Sequence, residues 1–437
     1  MGGFGFGPGD PFDSHDSNES EGSDELNNSN NPNGSNNSND FNNSNGPEHE
    51  LFKAFSEFSG GLFSPMDPNA AMISSATLRQ SALQSMKEQT VHPLGLRDNE
   101  EMREALDIAN LWLDEVMTFP TTSLAAQPAW DRRQWLDATL QGWQEFVEPL
   151  AEGMADALSG VIGEMGVETF LPVMRGFMGS LIANQLGQAV AHLSSKVTGA
   201  NDGAIPLFTK SESHLLPQNV RAWGEGLDIP ARDIRIFLAV REAAATRLFS
   251  HADWLRDYLR NAITAYGKGI KIDAAAIQSQ AESAISSGEL DIENPESINN
   301  AIAQGMFVPE QSEAQIAALE RVEMALALIE GWLEHISSLA CGDRLPTINN
   351  LMETQRRARA TQSPTQQLFA AMLGLEISPR KMRECAKFWS DVHALQGIEG
   401  RDHRWEDASL LPRSEDLADA AGFLQSTTVP DDLSGLI

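Results

Sequence analysis

The side chains able to do chemistry collect in two stretches. In Arg241-Glu242-Ala243-Ala244-Ala245-Thr246-Arg247-Leu248-Phe249-Ser250-His251 a carboxylate stands beside a guanidinium, and an imidazole follows nine residues on. In Ile329-Glu330-Gly331-Trp332-Leu333-Glu334-His335 two carboxylates are four residues apart, one helical turn. Metal-assisted hydrolysis needs such groups: a carboxylate as general base, with imidazoles and further carboxylates holding the ion. The sequence HExxH supplies two imidazoles one turn apart with a glutamate beside the first. This chain contains no HExxH.

Residues 229–260 read as two consecutive helices. Pro230 stands where a first helical residue would, its φ pre-set and no N–H to lose. After it, Ile234, Phe237, Leu238, Arg241, Ala245, Leu248 and Phe249 recur at three- and four-residue steps. At roughly 100° per residue, Glu242 falls within about 80° of Ile234. Arg241 and Glu242 therefore occupy a face where a globular helix puts apolar side chains. A buried carboxylate needs a partner, and the plain expectation is an ion pair with Arg241, Arg247 or a distant arginine. His251 falls at a helix break, Ser250-His251-Ala252-Asp253, where Ser250 or Asp253 can cap. A second long helix spans 312–339, with Leu319, Val322, Leu326, Ile329, Leu333 and Ile336 as its stripe. Glu323, Glu330 and Glu334 run along the edge of that stripe as a solvated row, and His335 points away from it.

The remaining elements are helical too. Residues 1–48 form a disordered tail rich in Asn, Ser and acids, with too little apolar surface to offset the entropy of ordering. A short amphipathic helix is expected at 48–63. Helices follow at 77–87, 99–117 and 128–148, the last ending at the breaker Pro149. Trp130, Trp135 and Trp143 read as core filler. The glycines of 152–195 have helical spacing and no phosphate-loop pattern, which reads as close helix–helix contact. Asn201-Asp202-Gly203 is a turn, and 204–208 is a strand-like run. Residues 271–288 and 381–395 are further helices. Arg356, Arg357 and Arg359 cap helices or pair with nearby acids. The organisation expected is a tail at 1–48, an N-terminal helical region at 49–200, a helical core at 201–417 and a C-terminal tail at 418–437. The fold class is mainly α with few short strands.

Charge excludes several roles. The 437 residues carry 62 acids against 31 bases, a formal charge of −31. Ten acids lie in the first 50 residues, which hold no Lys or Arg, and the rest is still acidic. That balance argues against nucleic acid and anionic membranes as partners. Two cysteines, Cys341 and Cys385, form no disulfide framework, and no signal or membrane-spanning segment is readable, so a cytoplasmic protein is expected.

Several motifs together resemble the actinobacterial zincin-like zinc-dependent metallopeptidases, also labelled hydrolases. They are Leu216-Pro217-Gln218-Asn219-Val220, Glu225-Gly226-Leu227-Asp228-Ile229-Pro230, the 241–251 run with Trp254-Leu255-Arg256, and Gly305-Met306-Phe307. Pro309-Glu310-Gln311, the 329–335 run, Gly374-Leu375-Glu376 and 397–402 continue the likeness. The resemblance implies a zincin-like helical fold, zinc as cofactor, and a peptide or protein substrate. It gives Glu242 the role of general base, and His251 and Glu330 positions as metal ligands. Arg241 stands where HExxH has its first histidine, a place the family pattern already fills with arginine. Ala245 stands where the second histidine belongs, so the motif is degenerate. The alternative is a non-catalytic interaction or scaffold protein that keeps the fold.

Overall fold

The computed structural model describes residues 71–164, 171–271, 312–362, 368 and 378–426. All of these lie in one compact unit, Ala54–Ile437. The expected tail at 1–48, the helix at 48–63, nearly all of the helix at 271–288 and most of the C-terminal tail fall outside the described residues.

The described chain is helical: α1 Ser75–Met86, α2 Leu96–Leu113, α3 Arg132–Glu164, α4 Leu171–Ser194, α5 Pro217–Trp223, α6 Ala231–His251, α7 Trp254–Lys268, α8 Glu313–Cys341, α9 Ile348–Gln362, α10 Pro379–Asp402 and α11 Ala420–Ser426. No strand occurs among the described residues. The strand-like run 204–208 is irregular, and Ala204 has a positive φ of 56°. Among the described residues sheet-like pairing is limited to two isolated bridges, Ala129 with Leu215 and Gly199 with Leu215.

Helix α6 is the central element. Every residue from Ile236 to Phe249 is buried, on all sides. The sequence expectation of one apolar face is therefore too narrow: α2 and α8 pack directly against α6, with α5 and α9 also in contact. A helix buried all round leaves no solvated face for its charges, so each must find a partner inside the protein. Pro230 is the N-cap residue of α6, one place outside the first helical position, with φ −55° and ψ 131°. Asp253 is the N-cap residue of the following helix but makes no side-chain cap hydrogen bond, and Ser250 Oγ donates back to Thr246 O at 2.8 Å.

Two further expectations change. Pro149 does not end its helix: α3 runs on to Glu164 with Pro149 inside. At that point α3 crosses α7 closely, since a Cβ on Gly153 would lie 2.3 Å from Gly267 O and one on Gly267 would lie 2.5 Å from Pro149 O. Gly153, Gly179 and Gly187 do serve close contact, the last two against Met72 and α1, while Gly160 faces open space. Trp135 and Trp143 are core, while Trp130 is half-buried and stacks on His214 with centroids 3.6 Å apart. One apolar core runs from Met72 to Leu424. No helix among the described residues is long and apolar enough to cross a membrane.

Candidate functional site

The Glu242 carboxylate is held by amides. Asn201 N donates to Oε2 at 3.0 Å, Asn201 Nδ2 to Oε1 at 2.9 Å, and His214 N to Oε1 at 3.3 Å. The loop can come this close because position 199 is glycine: a Cβ there would stand 2.2 Å from Glu242 Oε2. Thr246 Oγ1, one turn along α6, accepts from Asn201 Nδ2 at 3.1 Å and Ser213 Oγ at 2.8 Å, and donates to Glu242 O at 2.9 Å. The ion pair expected for Glu242 is thus replaced by a loop-to-helix amide clasp. Burial raises the carboxyl to about 8, with the Asn201 and His214 donors opposing and the Asp202 charge adding to the rise.

The two arginines go elsewhere. Arg241 Nη2 lies 2.5 Å from Glu330 Oε1 on α8, and Arg359 Nε on α9 lies 3.1 Å from the same oxygen. Arg359 Nη2 also donates to Asp202 Oδ1 at 2.5 Å and Asp202 O at 2.7 Å. All four side chains are buried or nearly so. Burial alone would raise the Glu330 and Asp202 carboxyls, but the guanidinia beside them hold both below the usual range. The row is not the solvated one expected, since Glu330 is buried and Glu323 and Glu334 are half-buried, Glu323 against Lys381. Glu330 is a core residue because the Arg241 and Arg359 guanidinia meet it there, whereas half-buried Glu334 meets exposed Arg356 at 2.8 Å. Arg247 is fully buried and ties α6 to the 110–121 region through Asn110, Asp114, Phe119 and Thr121.

His251 ends α6 on the surface, its ring stacked on Phe119 at 4.1 Å. It lies nine residues from Glu242 and ten from Arg241, roughly 13 Å and 15 Å along the helix axis. The structure brings Glu242 and the Arg241–Glu330 pair to one neighbourhood and leaves His251 between two and three helical turns away. His335 is half-buried: its Nε2 meets His393 Nδ1 of α10 at 3.1 Å, and Arg401 Nη1 approaches the same nitrogen at 3.0 Å.

Between the clasp and the ion network lies a cavity of about 10 Å³, space for the centre of one water. Ala245, Glu242, Arg241, Asn201, Asp202 and Arg359 are among its lining residues. Arg241 Nε and Asn201 Oδ1, both buried, have no hydrogen-bond partner among the described residues.

A family model described as zincin-like metallopeptidase matches residues 73–424, most of the chain. The chain belongs to that family. No curated protein matches it. Among solved structures it is similar to one described as "a putative hydrolase with a novel fold" from Chloroflexus aurantiacus, at 18% identity and a TM-score of 0.54. That likeness covers 81% of this chain and 98% of the other, and it speaks for a shared fold.

The family implies zinc, and the residues at the motif do not fit it. A catalytic zinc takes three protein ligands. Ala245 offers a methyl group, Arg241 is itself a cation, and the Glu330 carboxylate is taken by two guanidinia. Among the described residues no group of three His, Cys, Asp or Glu side chains is arranged to hold an ion.

Sequence reasoning missed Gly199, Asn201 and His214 as partners of Glu242, and Asp202 and Arg359 as partners in the ion network. Asn201-Asp202-Gly203 carries a visible turn signal, but a turn signal does not say which helix the turn will clasp. The reading of the arginine run as partners of nearby acids holds: Arg356 pairs with Glu334, Arg357 with Glu353, and Arg359 with Glu330 and Asp202.

Proposed function

We propose that this chain is a zincin-family protein whose motif helix has been turned into the ion-paired centre of a non-catalytic interaction or scaffold module. The observation that carries this is the position of Glu330 Oε1 between Arg241 and Arg359. Two guanidinia occupy the surroundings of the motif carboxylates, and a dication placed among them would meet like charge in a low-dielectric interior. The cavity supports the same reading, since it has room for a water and none for a peptide bond.

The test is metal content of the full chain purified without added metal or a polyhistidine tag, beside Ala245→His. The scaffold reading expects no stoichiometric zinc in either protein. One zinc per chain in the native protein, lost in His251→Ala or Glu330→Gln, would overturn it.

A second reading is a hydrolase acting on a peptide or protein, with Glu242 as its general base, in the cytoplasm. One observation favours it: burial holds Glu242 near 8, where a carboxyl exchanges a proton close to neutral pH. Peptidase activity on unfolded protein substrates that disappears in Glu242→Gln, while the fold persists, would establish this reading over the first.

A further inference from the structure

Helix α10 is two arms joined at a bend. Gly397 has φ 72° and ψ −166° inside Pro379–Asp402, a conformation that favours glycine. His393 stands four residues before the bend and Arg401 four residues after it, and Arg401 Nη1 lies 3.0 Å from His393 Nδ1. His335 Nε2, from α8, lies 3.1 Å from the same nitrogen. One imidazole nitrogen thus joins both arms of α10 to α8.

The proton positions follow from the chemistry. A guanidinium only donates, so His393 Nδ1 carries no proton and accepts. His335 Nε2 must then carry the proton of its ring, since a bare nitrogen there would set two lone pairs facing each other. Both rings are neutral Nε2–H tautomers, with His393 Nδ1 as the shared acceptor.

The rest of the cluster is already engaged. Arg401 and Asp402 are fully buried. Asp402 Oδ1 takes Arg401 Nε at 2.7 Å, Oδ2 takes Thr118 N at 2.8 Å, and Arg401 Nη2 donates to Val116 O at 2.6 Å. These bonds fix the second arm to the 116–118 segment, which leaves the half-buried His393 ring as the member able to move. The surrounding charges are paired or exposed. Glu334 of α8 meets Arg356, Glu115 beside Val116 meets Arg344, and Lys387 of α10 meets Asp391. Glu399 and Glu415 are exposed, Asp416 accepts from Arg413 N at 2.7 Å, His403 meets Glu406 at 2.9 Å, and Arg404 Nη2 donates to Gln396 Oε1 at 3.1 Å. Helix α11 has no charged residue. Burial and the Arg401 charge lower the His393 imidazole, with Asp402 opposing.

We propose that His393 is an acid-released latch: a proton on Nδ1 turns the shared acceptor into a donor, and the imidazolium swings out, loosening the bend at Gly397 and the exposed residues 394–396. With that proton in place three donors meet without an acceptor, and two of them are cations. The closed latch needs a neutral ring, whereas the released ring titrates as a free histidine, so closure weakens as pH falls below about 6.5. The latch is independent of the reading of the motif helix.

The experiment is nitrogen-15 NMR of the full chain with labelled histidine, beside amide hydrogen exchange, from about pH 7.5 to about pH 4.5. At the upper end His335 and His393 are expected as Nε2–H tautomers, and a proton on His393 Nδ1 would overturn the proposal. Protection of amides 394–402 should fall by up to about tenfold per pH unit below about 6.5, with the helical circular dichroism unchanged. In His393→Gln, whose side-chain oxygen accepts at every pH, that fall should largely vanish; a native-like fall there would equally overturn the latch. His393→Leu, which offers no acceptor, should show low protection already at the upper end, and native protection there would count against it. His403→Gln, at the histidine paired with Glu406, should follow the native protein, and loss of the fall in that variant would move the latch to the wrong residue.

Discussion

Arg241 and Glu330 meet at 2.5 Å in the interior, an arginine from the centre of α6 and a glutamate from the centre of α8. Neither can be solvated, so each is stable only because the other is there, with Arg359 and Asp202 closing the network. Such pairs add little net stability against well-packed apolar side chains, yet removing one partner is costly. Glu330→Ala is therefore expected to destabilise the fold by about 3–5 kcal/mol, since it leaves two buried guanidinia facing one carboxylate. Urea unfolding followed by circular dichroism measures it, and a loss below about 1 kcal/mol would show that water reaches the network.

Gly199 controls how closely the loop approaches α6. Adding a methyl group there sets a Cβ 2.2 Å from Glu242 Oε2, so the loop or the carboxylate must shift. Gly199→Ala should cost about 1–3 kcal/mol, the usual range for overpacking. In the Glu242→Ala background the same change should cost clearly less, because the clashing oxygen is gone. Equal costs in the two backgrounds would mean that the clash is not with Glu242.

Much of this arrangement was legible in the sequence, and the limits have physical causes. The helix at 312–339 is capped by Ser312 with Gln315 in a reciprocal pair, a local signal, and its predicted span matches α8 closely. The two helices at 229–260 likewise follow from periodicity and a break. Periodicity fails at Arg241 and Glu242 because α6 is buried all round, and a helix wheel cannot say which of several neighbours meets a given side chain. Pro149 misleads for a related reason: local propensity ends the helix, and the close α3–α7 crossing continues it. The partners of Glu242 come from the chain 28 and 41 residues before it, mainly through backbone N–H groups that every non-proline residue carries. No residue type announces them.

The pH dependence of stability follows from three buried groups. Burial raises Glu242 from 4.5 to about 8, so the folded state holds a proton that the unfolded chain has released across that window, and stability falls as pH rises through it. Burial lowers His214 from 6.5 to about 4, and burial with the nearby Arg401 and His393 lowers His335 from 6.5 to about 3. There the unfolded chain binds the protons, so stability is lost as pH falls below 6.5. Two histidines outweigh one carboxyl on the acid side, while Glu242 acts alone between 6.5 and 8. Thermal unfolding should show a maximum near pH 6.5, with a decline toward pH 8 of at most about 1.4 kcal/mol per unit. Glu242→Gln, which keeps the neutral form at every pH, should flatten the alkaline limb and steepen the acid limb between pH 4.5 and 6.5, where the carboxyl opposes the two histidines. A native-like slope above pH 6.5 in that variant would assign the limb to another group.

The crossing of α3 and α7 gives the last test. A Cβ on Gly153 would lie 2.3 Å from Gly267 O and 2.4 Å from Gly267 C, and backbone atoms cannot turn aside as a side chain can. The helices would have to separate at the point where Pro149 already deprives α3 of one backbone hydrogen bond. Gly153→Ala gains helix propensity, about 1 kcal/mol in an exposed helix, so a stabilising result would be expected if the contact were loose. The close approach reverses that sign. Destabilisation by about 1–3 kcal/mol or more is expected, with a lowered urea midpoint and an unchanged slope. Gly160→Ala on the same helix has no neighbour among the described residues within 4 Å of its Cβ and should raise the midpoint instead. If both variants shift the midpoint in the same direction, helix propensity rather than the crossing governs this stretch of α3.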